Sequence, residues 1–283
     1  MVIDTDKIAT KDLHQLLVGS VAPRPIAFVS TVDQHGISNL APYSFFNVFS
    51  SNPPIAVFSS NRRVSNNSTK DTLANIEQTK ECVINVVSYD IVRQMAITSI
   101  DYPTGVDEFE KGGFTKLESD VVRPYRVKES PVNMECKVKD IIPLGDTGGA
   151  GHLILCHIVR MHIDDDIMDS EGRIDPHKID LMGRLGRAFY TRASGDAVQK
   201  IFQPFNVMGV GFDNLPEYIK KSPILTGNEI AEIAALPALP EVDQVSRSLY
   251  AKLETDQKRH FEAQKLIHQG LVEAAAKLLL SAE

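Results

Sequence analysis

"PRPIAFVSTVDQHGISNLAPYSFFN" occupies residues 23–47. Its first part, PIAFVSTV at 25–32, is rich in β-branched and aromatic residues and ends at DQHG, the residue types of a hairpin turn. After the turn, Asn39, Tyr43, Ser44 and Asn47 are interleaved with Pro42, Phe45 and Phe46, and this stretch reads as neither strand nor helix. So many hydrogen-bonding groups among aromatics, directly beside core sequence, mark a candidate site.

Further strands follow. IAVFS (55–59) comes after Pro53 and Pro54, which block a helix there. ECVINVVS (81–88), VNMECKVKDII (132–142) and HLILCHIVRMHI (152–163) have the same β-rich character. With so little helix between them, the strands suggest an antiparallel barrel rather than alternating βαβ units. Two helices interrupt them, at 69–78, with Thr69 as capping candidate, and at 89–98; 101–113 reads as a surface loop and LGDTGGAG (144–151) as a turn. Beyond about residue 200 the composition turns helical, at 229–235 and 242–280, where Val242, Val245, Leu249 and Leu253 are spaced three to four apart. The expectation is a mainly β barrel over residues 1–200 and a mostly helical C-terminal extension over 201–283.

Composition narrows the function. The chain has 283 residues, 43% of them hydrophobic, and a net charge of -7. That charge argues against a nucleic-acid surface and gives no reason to expect an anionic membrane as partner. No apolar run approaches the ~20 residues that cross a bilayer, and the opening MVIDTDKIATKDL lacks a basic n-region followed by an apolar block. The cysteines, Cys82, Cys136 and Cys156, are odd in number and far apart, as suits buried thiols in a reducing compartment. These features together predict a soluble, cytoplasmic protein.

The motifs bear on four kinds of chemistry. The glycines do not spell a dinucleotide fingerprint after a strand, and there is no P-loop. Strict alternation puts His152, Cys156 and His162 on one face of their strand and His157 on the other; residues four apart on a strand are ~13 Å apart, too far to share a metal. No nucleophile elbow or catalytic cysteine context is present. The fourth is anion binding. SSNRRVSNNSTKDT (59–72) supplies Ser59, Ser60, Asn61, Ser65 and Thr72 as polar groups and Arg62, Arg63 and Lys70 as cations after a strand end. Lys70, Asp71 and Thr72 fall at a helix start, where free N–H groups favour an anion. A solvated basic loop with an N-cap is the plainer alternative.

PRPIAFVST (23–31), NLAPYSFFN (39–47), Asn52-Pro53-Pro54, KDT (70–72) with Asn75-Ile76, DEFEKGGF (107–114), SPVNMEC (130–136) and RLGRAFY (184–190) occur in that order. Taken together they resemble the flavin reductase-like proteins of the FMN-binding split-barrel superfamily, in its flavoredoxin-like branch, over roughly residues 10–200. The resemblance implies a Greek-key split barrel that forms homodimers with one FMN per subunit near the interface. It implies that Asn39, Pro42, Tyr43, Ser44 and Asn47 wall the isoalloxazine, with Phe45 or Phe46 behind. Ser30 and Thr31 would then meet the ribityl chain or phosphate. Ser59, Ser60, Asn61, Arg62, Lys70, Asp71 and Thr72 would complete the phosphate cradle. Arg184 and Tyr190 are expected at the flavin or a nicotinamide, with a structural role as the alternative, and Arg24 at an interface. The implied activity is hydride transfer from NAD(P)H through FMN to a second acceptor, with no catalytic side chain strictly needed. A flavoredoxin-type electron carrier serving a redox partner protein is the alternative. A non-enzymatic flavin-binding or interaction protein is the third reading, and pyridoxamine-phosphate oxidation a weaker one.

Overall fold

The computed structural model describes residues 1–201 and 208–281. The chain divides into two compact units, Met1–Gln199 and Lys200–Glu283.

The first unit opens with helix α1 (Thr10–Ser20), which the sequence reading did not foresee. Strands β1 (Ala27–Val32), β2 (Ser38–Tyr43), β3 (Phe46–Ser51) and β4 (Pro54–Asn61) follow. Then come α2 (Asp71–Thr79), β5 (Glu81–Val86), α3 (Val92–Ile97), α4 (Glu108–Gly112), and the short strands β6 (Lys116–Leu117) and β7 (Arg126–Val127). The long hairpin β8 (Val132–Pro143) and β9 (Gly151–Ile163) and the small hairpin β10 (Met182–Arg184) and β11 (Tyr190–Arg192) complete it.

Seven strands form one antiparallel sheet in the order β2-β1-β5-β8-β9-β4-β3. β2 and β3 lie at opposite edges, yet only Ser44 and Phe45 separate them in the chain. Two residues span about 10 Å at most, so the sheet must curl until its edges meet at that link. The Ser59 N–H donates to the Phe45 carbonyl at 2.8 Å and ties β4 to the link. Residues 39–47, read from sequence as irregular, are thus two edge strands and the short connection that closes the barrel.

Ala27, Val29, Ala41, Tyr43, Phe58 and Ile84 pack inside the barrel. Phe28 and Leu40, one residue out of phase, pack on its other face with Met95 of α3 and Phe109 of α4. β1 is therefore buried on both faces, which is why it opens on the unbroken apolar run Ala27-Phe28-Val29 rather than alternating.

Three sequence expectations shift. Helix α2 begins at Asp71 with Lys70 as its N-cap, and no side chain caps it, so Thr69 does not play that part. The second helix starts only at Val92; Tyr89 to Ile91 form a turn, and the Tyr89 N–H donates to the Asp180 carbonyl at 2.9 Å. The loop at 101–113 contains α4, capped by the Asp107 side chain.

The second unit contains helices α5 (Glu217–Lys220), α6 (Gly227–Ala234), α7 (Gln244–Lys252), α8 (Asp256–His268) and α9 (Val272–Leu280). Ile219, Ile233, Ala263, Ile267, Ala275 and Leu278 form its core. The stretch 242–280, expected to be helical throughout, breaks twice: Thr255 caps α8, and Gly270 takes a positive φ before α9. A capping box between Thr226 and Glu229 starts α6.

Candidate functional site

A cleft of about 330 Å³ opens where the barrel closes. Pro42, Tyr43, Ser44 and Phe45 form one wall, Ser59 and Asn61 at the end of β4 another, and Lys70 stands at the entry to α2. His14, Gln15 and Val18 of α1 and Arg184, Leu185 and Arg187 of the β10–β11 hairpin line the opposite side. Arg24 also reaches the lining.

Arg24 assembles this side. Its guanidinium donates to the Val18 and Val21 carbonyls at 2.5 and 2.7 Å and to the Leu185 carbonyl at 3.0 Å. A cation at the C-terminal end of a helix meets both unpaired carbonyls and the negative dipole end. The Arg24 backbone pairs with Arg184 in both directions, at 2.9 and 2.8 Å, hanging the small hairpin from the strand before β1. Expected at an interface, Arg24 is instead 6% exposed within its own unit. Burial, and then the charge of Arg184, lower its pKa.

The charge of the cleft is one-sided. Lys70, Arg24, Arg184 and Arg187 line it, and among the described residues no Asp or Glu does. Lys70 Nζ makes no hydrogen bond or ion pair among the described residues and sits 5.1 Å from the centre of the Tyr43 ring. Burial lowers its pKa. Arg184 stacks on Tyr190 at 4.5 Å. On a chain of net charge -7, four cations without a carboxylate define a site for an anion.

The polar wall is partly unsatisfied. Tyr43 Oη and Ser60 Oγ are buried without a hydrogen-bond partner among the described residues. Burial pushes the Tyr43 phenol up to about 12, against the opposing influence of the nearby Thr72 and Ser60 hydroxyls. The Ser59 hydroxyl donates to Asn61 Oδ1 at 2.8 Å, and Asn61 Nδ2 to the Gly149 carbonyl at 3.3 Å. A Cβ on Gly151 would lie 2.5 Å from Ser59 Oγ, so the missing side chain there makes room for this pair.

The structure brings together Pro42, Tyr43, Ser44, Ser59, Asn61, Lys70 and Arg184 from the expected set. The others lie elsewhere. Ser30 is fully buried and donates to the Tyr125 carbonyl. Thr31 accepts from Asn75 Nδ2 at 3.1 Å, also inside. Asn39 Oδ1 accepts from the Thr72 hydroxyl at 2.7 Å, while Asn39 Nδ2 donates to Glu108 at 3.0 Å. Thr31, Asn39, Thr72, Asn75 and Glu108 form one buried polar network, in which each polar side chain finds a partner. Asp71 accepts from Thr104 at 3.2 Å and lines a separate crevice. Asn47 is on the exposed edge strand and accepts from the Val48 N–H. Arg62 donates to Asn67 Oδ1 and to the Asn67 carbonyl, Arg63 pairs with Asp101 at 2.9 Å, and neither lines the cleft. The Tyr190 ring lies under Arg184 and supports it rather than lining the cleft.

Sequence reading missed His14, Gln15, Arg24 as an internal strut, Arg187 and Glu108. Arg187 was within reach, since it belongs to the same RLGRAFY stretch as Arg184. It missed a second cluster as well. Val159 is an extra residue in β9 between the pairs Glu135–Arg160 and Cys136–Ile158. That bulge reverses the alternation and turns His162 away from the face of Cys156. His162 Nε2 lies 2.6 Å from Glu135 Oε1, and Asp120 is close enough that the three ligand atoms fall within 4.8 Å. Their charges are already engaged: Glu135 accepts from the backbone N–H groups of Asp120, Val121 and Val122, and Asp120 holds Arg160 at 2.6 Å.

Comparison with known proteins assigns the family and the fold. A family model described as "Flavin reductase like domain" matches residues 18–177, more than half of the chain, and the chain belongs to that family. An uncharacterized protein of Aquifex aeolicus is 39% identical over 189 residues, 67% of this chain and 94% of that one. The crystal structure of nitrilotriacetate monooxygenase component B from Bacillus cereus is 32% identical with a TM-score of 0.65, covering 72% of this chain and 98% of the other. A flavin reductase with a split-barrel domain from Shewanella frigidimarina superposes with a TM-score of 0.61 at 24% identity, over 72% and 99% of the two chains, and identifies the fold as a split barrel. No helix among the described residues is long and apolar enough to cross a membrane.

Proposed function

We propose that the chain is an FMN-binding oxidoreductase that accepts electrons from NAD(P)H and passes them to a second acceptor. The observation that carries the reading is the cleft at the barrel closure, lined by cations and aromatic residues with no carboxylate. FMN combines an apolar ring, polar ring edges and a phosphate, and the residues present fit each part. Lys70, Arg184 and Arg187 supply cations for phosphate. Pro42, Tyr43 and Phe45 supply an apolar wall, and Ser44 and Ser59 supply hydroxyls. The unpartnered Tyr43 and Ser60 hydroxyls are both buried, and Ser60 is not among the lining residues.

Bound flavin accepts hydride and releases electrons singly or in pairs, and that chemistry belongs to the cofactor. The protein's part is to hold the phosphate, orient the ring against the β2–β3 link and exclude water from one ring face. No side chain of the cleft is required as an acid or base for hydride transfer, consistent with the lack of a carboxylate there. The barrel unit, residues 1–200, carries this site in our reading, and residues 201–283 are an appended helical domain. Val48 and Phe49 are exposed on the edge strand β3, a surface suited to a second copy of the chain, and we take the working form to be a cytoplasmic homodimer. The electron acceptor in this reading is a second flavin, a metal complex or a redox partner protein.

The test is an absorbance spectrum of the purified protein, repeated anaerobically with NADH and with NADPH. Flavin bands that bleach support the proposal. Bands that persist refute direct hydride transfer and favour an electron carrier. A colourless protein that takes up no added FMN refutes the flavin assignment.

A further inference from the structure

The C-terminal helical unit holds a cavity of its own, of about 470 Å³. Tyr218 of α5 and Pro223 give it an apolar surface, and Asp256, Gln257 and His260 of α8 line it as well. A side recess of about 110 Å³ shares Tyr218, Asp256 and His260. All of these residues belong to the second unit.

His260 is 7% exposed, and its ring is bonded at one nitrogen only. Nδ1 lies 2.6 Å from the Ser222 hydroxyl. That oxygen already accepts from the Ile224 and Leu225 N–H groups, at 3.2 and 2.9 Å, which occupies both of its lone pairs. Its own proton has no other acceptor among the described residues, so Ser222 donates and His260 Nδ1 accepts. The ring proton therefore sits on Nε2. Burial lowers the His260 pKa, against the opposing influence of Asp256, and keeps the ring neutral at pH 7. Nε2 makes no hydrogen bond among the described residues, yet it is not sealed away without a partner, as Tyr43 Oη and Ser60 Oγ are. It opens onto the cavity that His260 lines, a fixed donor lacking an acceptor.

The start of α8 adds to it. The Thr255 side chain accepts from the Lys258 N–H at 3.3 Å, and the Asp256 and Gln257 N–H groups are left without a partner among the described residues. They stand at the positive end of a thirteen-residue helix. The two carboxylates of the cavity are already matched: Asp256 pairs with Arg259 at 2.6 Å, and Glu217 with Lys220 and Lys221 at 2.7 and 2.9 Å.

We propose that this cavity binds a small aromatic carboxylate, whose oxygens accept from His260 Nε2–H and the first-turn N–H groups of α8 and whose ring lies on Tyr218 and Pro223. A single negative charge suits the site, since a phosphate dianion would bring a second charge against Asp256 and Glu217. The inference is independent of the flavin reading, because no residue of the barrel cleft takes part.

The test is nuclear magnetic resonance of the ¹⁵N-labelled full chain, titrated with sodium benzoate and with benzyl alcohol, which has the ring but no carboxylate. The free protein should show the His260 ring as the Nε2–H tautomer. Benzoate should shift His260 Nε2 and the Gln257 amide saturably, and benzyl alcohol should shift neither at the same concentration. In H260N the asparagine Oδ1 still accepts from Ser222, but no donor stands at the Nε2 position, so benzoate should bind about tenfold more weakly. A thermal melt shows whether H260N is folded; if it is not, the wild-type tautomer and shifts decide the matter alone. An Nδ1–H tautomer, no saturable shift with benzoate, equal shifts with benzyl alcohol, or undiminished binding by folded H260N overturns the proposal. Benzoate shifts confined to the barrel cleft overturn it too.

Discussion

Replacing Lys70 with methionine separates binding from stability. Methionine keeps the length and the apolar stem but removes the ammonium, which stands 5.1 Å from the centre of the Tyr43 ring and forms no ion pair among the described residues. A hydrogen bond between charged partners contributes about 1.5–3 kcal/mol, so K70M should weaken FMN binding by about tenfold to a hundredfold. Riboflavin, without the phosphate, should bind K70M within about threefold of the wild type, the loss in the FMN titration being the phosphate's share. The protein without ligand behaves differently. Loss of the cation–π contact costs about 0.5–1 kcal/mol, but burial disfavours the Lys70 charge, and removing it offsets that cost. The melting temperature should therefore change little. Fluorescence quenching of free FMN and riboflavin on titration with protein measures both affinities. Equal losses for the two flavins, or no loss for either, would refute the placement of phosphate at Lys70.

R24M removes three carbonyl contacts that join α1 to the small hairpin; it should destabilise the first unit by about 3 kcal/mol, at about 1 kcal/mol per bond, and a denaturant melt reads this. G151A sets a methyl 2.5 Å from Ser59 Oγ, so Ser59 must rotate away from Asn61; affinity for FMN should fall by about fivefold while the melting temperature holds, as titration and a thermal scan would show. Glu135 is held below the usual carboxylate range, burial opposing and the Asp120 N–H and His162 winning. A depressed carboxylate contributes stability above its unfolded pKa of about 4.3 that is lost as pH falls through the lower folded value. The wild type should lose stability as pH falls below about 4.3, and E135Q, which places an amide against backbone N–H donors, should be less stable than the wild type by about 1–3 kcal/mol at pH 7, as denaturant melts at both pH values would show.

Much of the barrel was legible in the chain. The runs at 25–32, 81–88, 132–142 and 152–163 became β1, β5, β8 and β9 because β-rich residues bounded by turn formers have few other ways to bury themselves. The short link between Tyr43 and Phe46 is in the sequence too, but its meaning is not. Only the sheet order shows that this link joins two opposite edges, and edge identity is decided by pairing between residues far apart in the chain.

The cleft followed the same division. Residue types announced an anion among aromatics, and Lys70, Tyr43, Ser44, Ser59, Asn61 and Arg184 do converge. Which cations remain available was settled by distant partners: Asp101 takes Arg63, the carbonyls of α1 take Arg24, and among the described residues no acid forms an ion pair with Lys70. A single bulge at Val159 likewise moved His162 to the face of Glu135, beyond any argument from alternation. The sequence by itself determined what the strands are made of and which polar groups exist. Tertiary structure decided which of those groups meet each other and which are left to meet a ligand, because a buried charge or hydroxyl is defined by its neighbours in space.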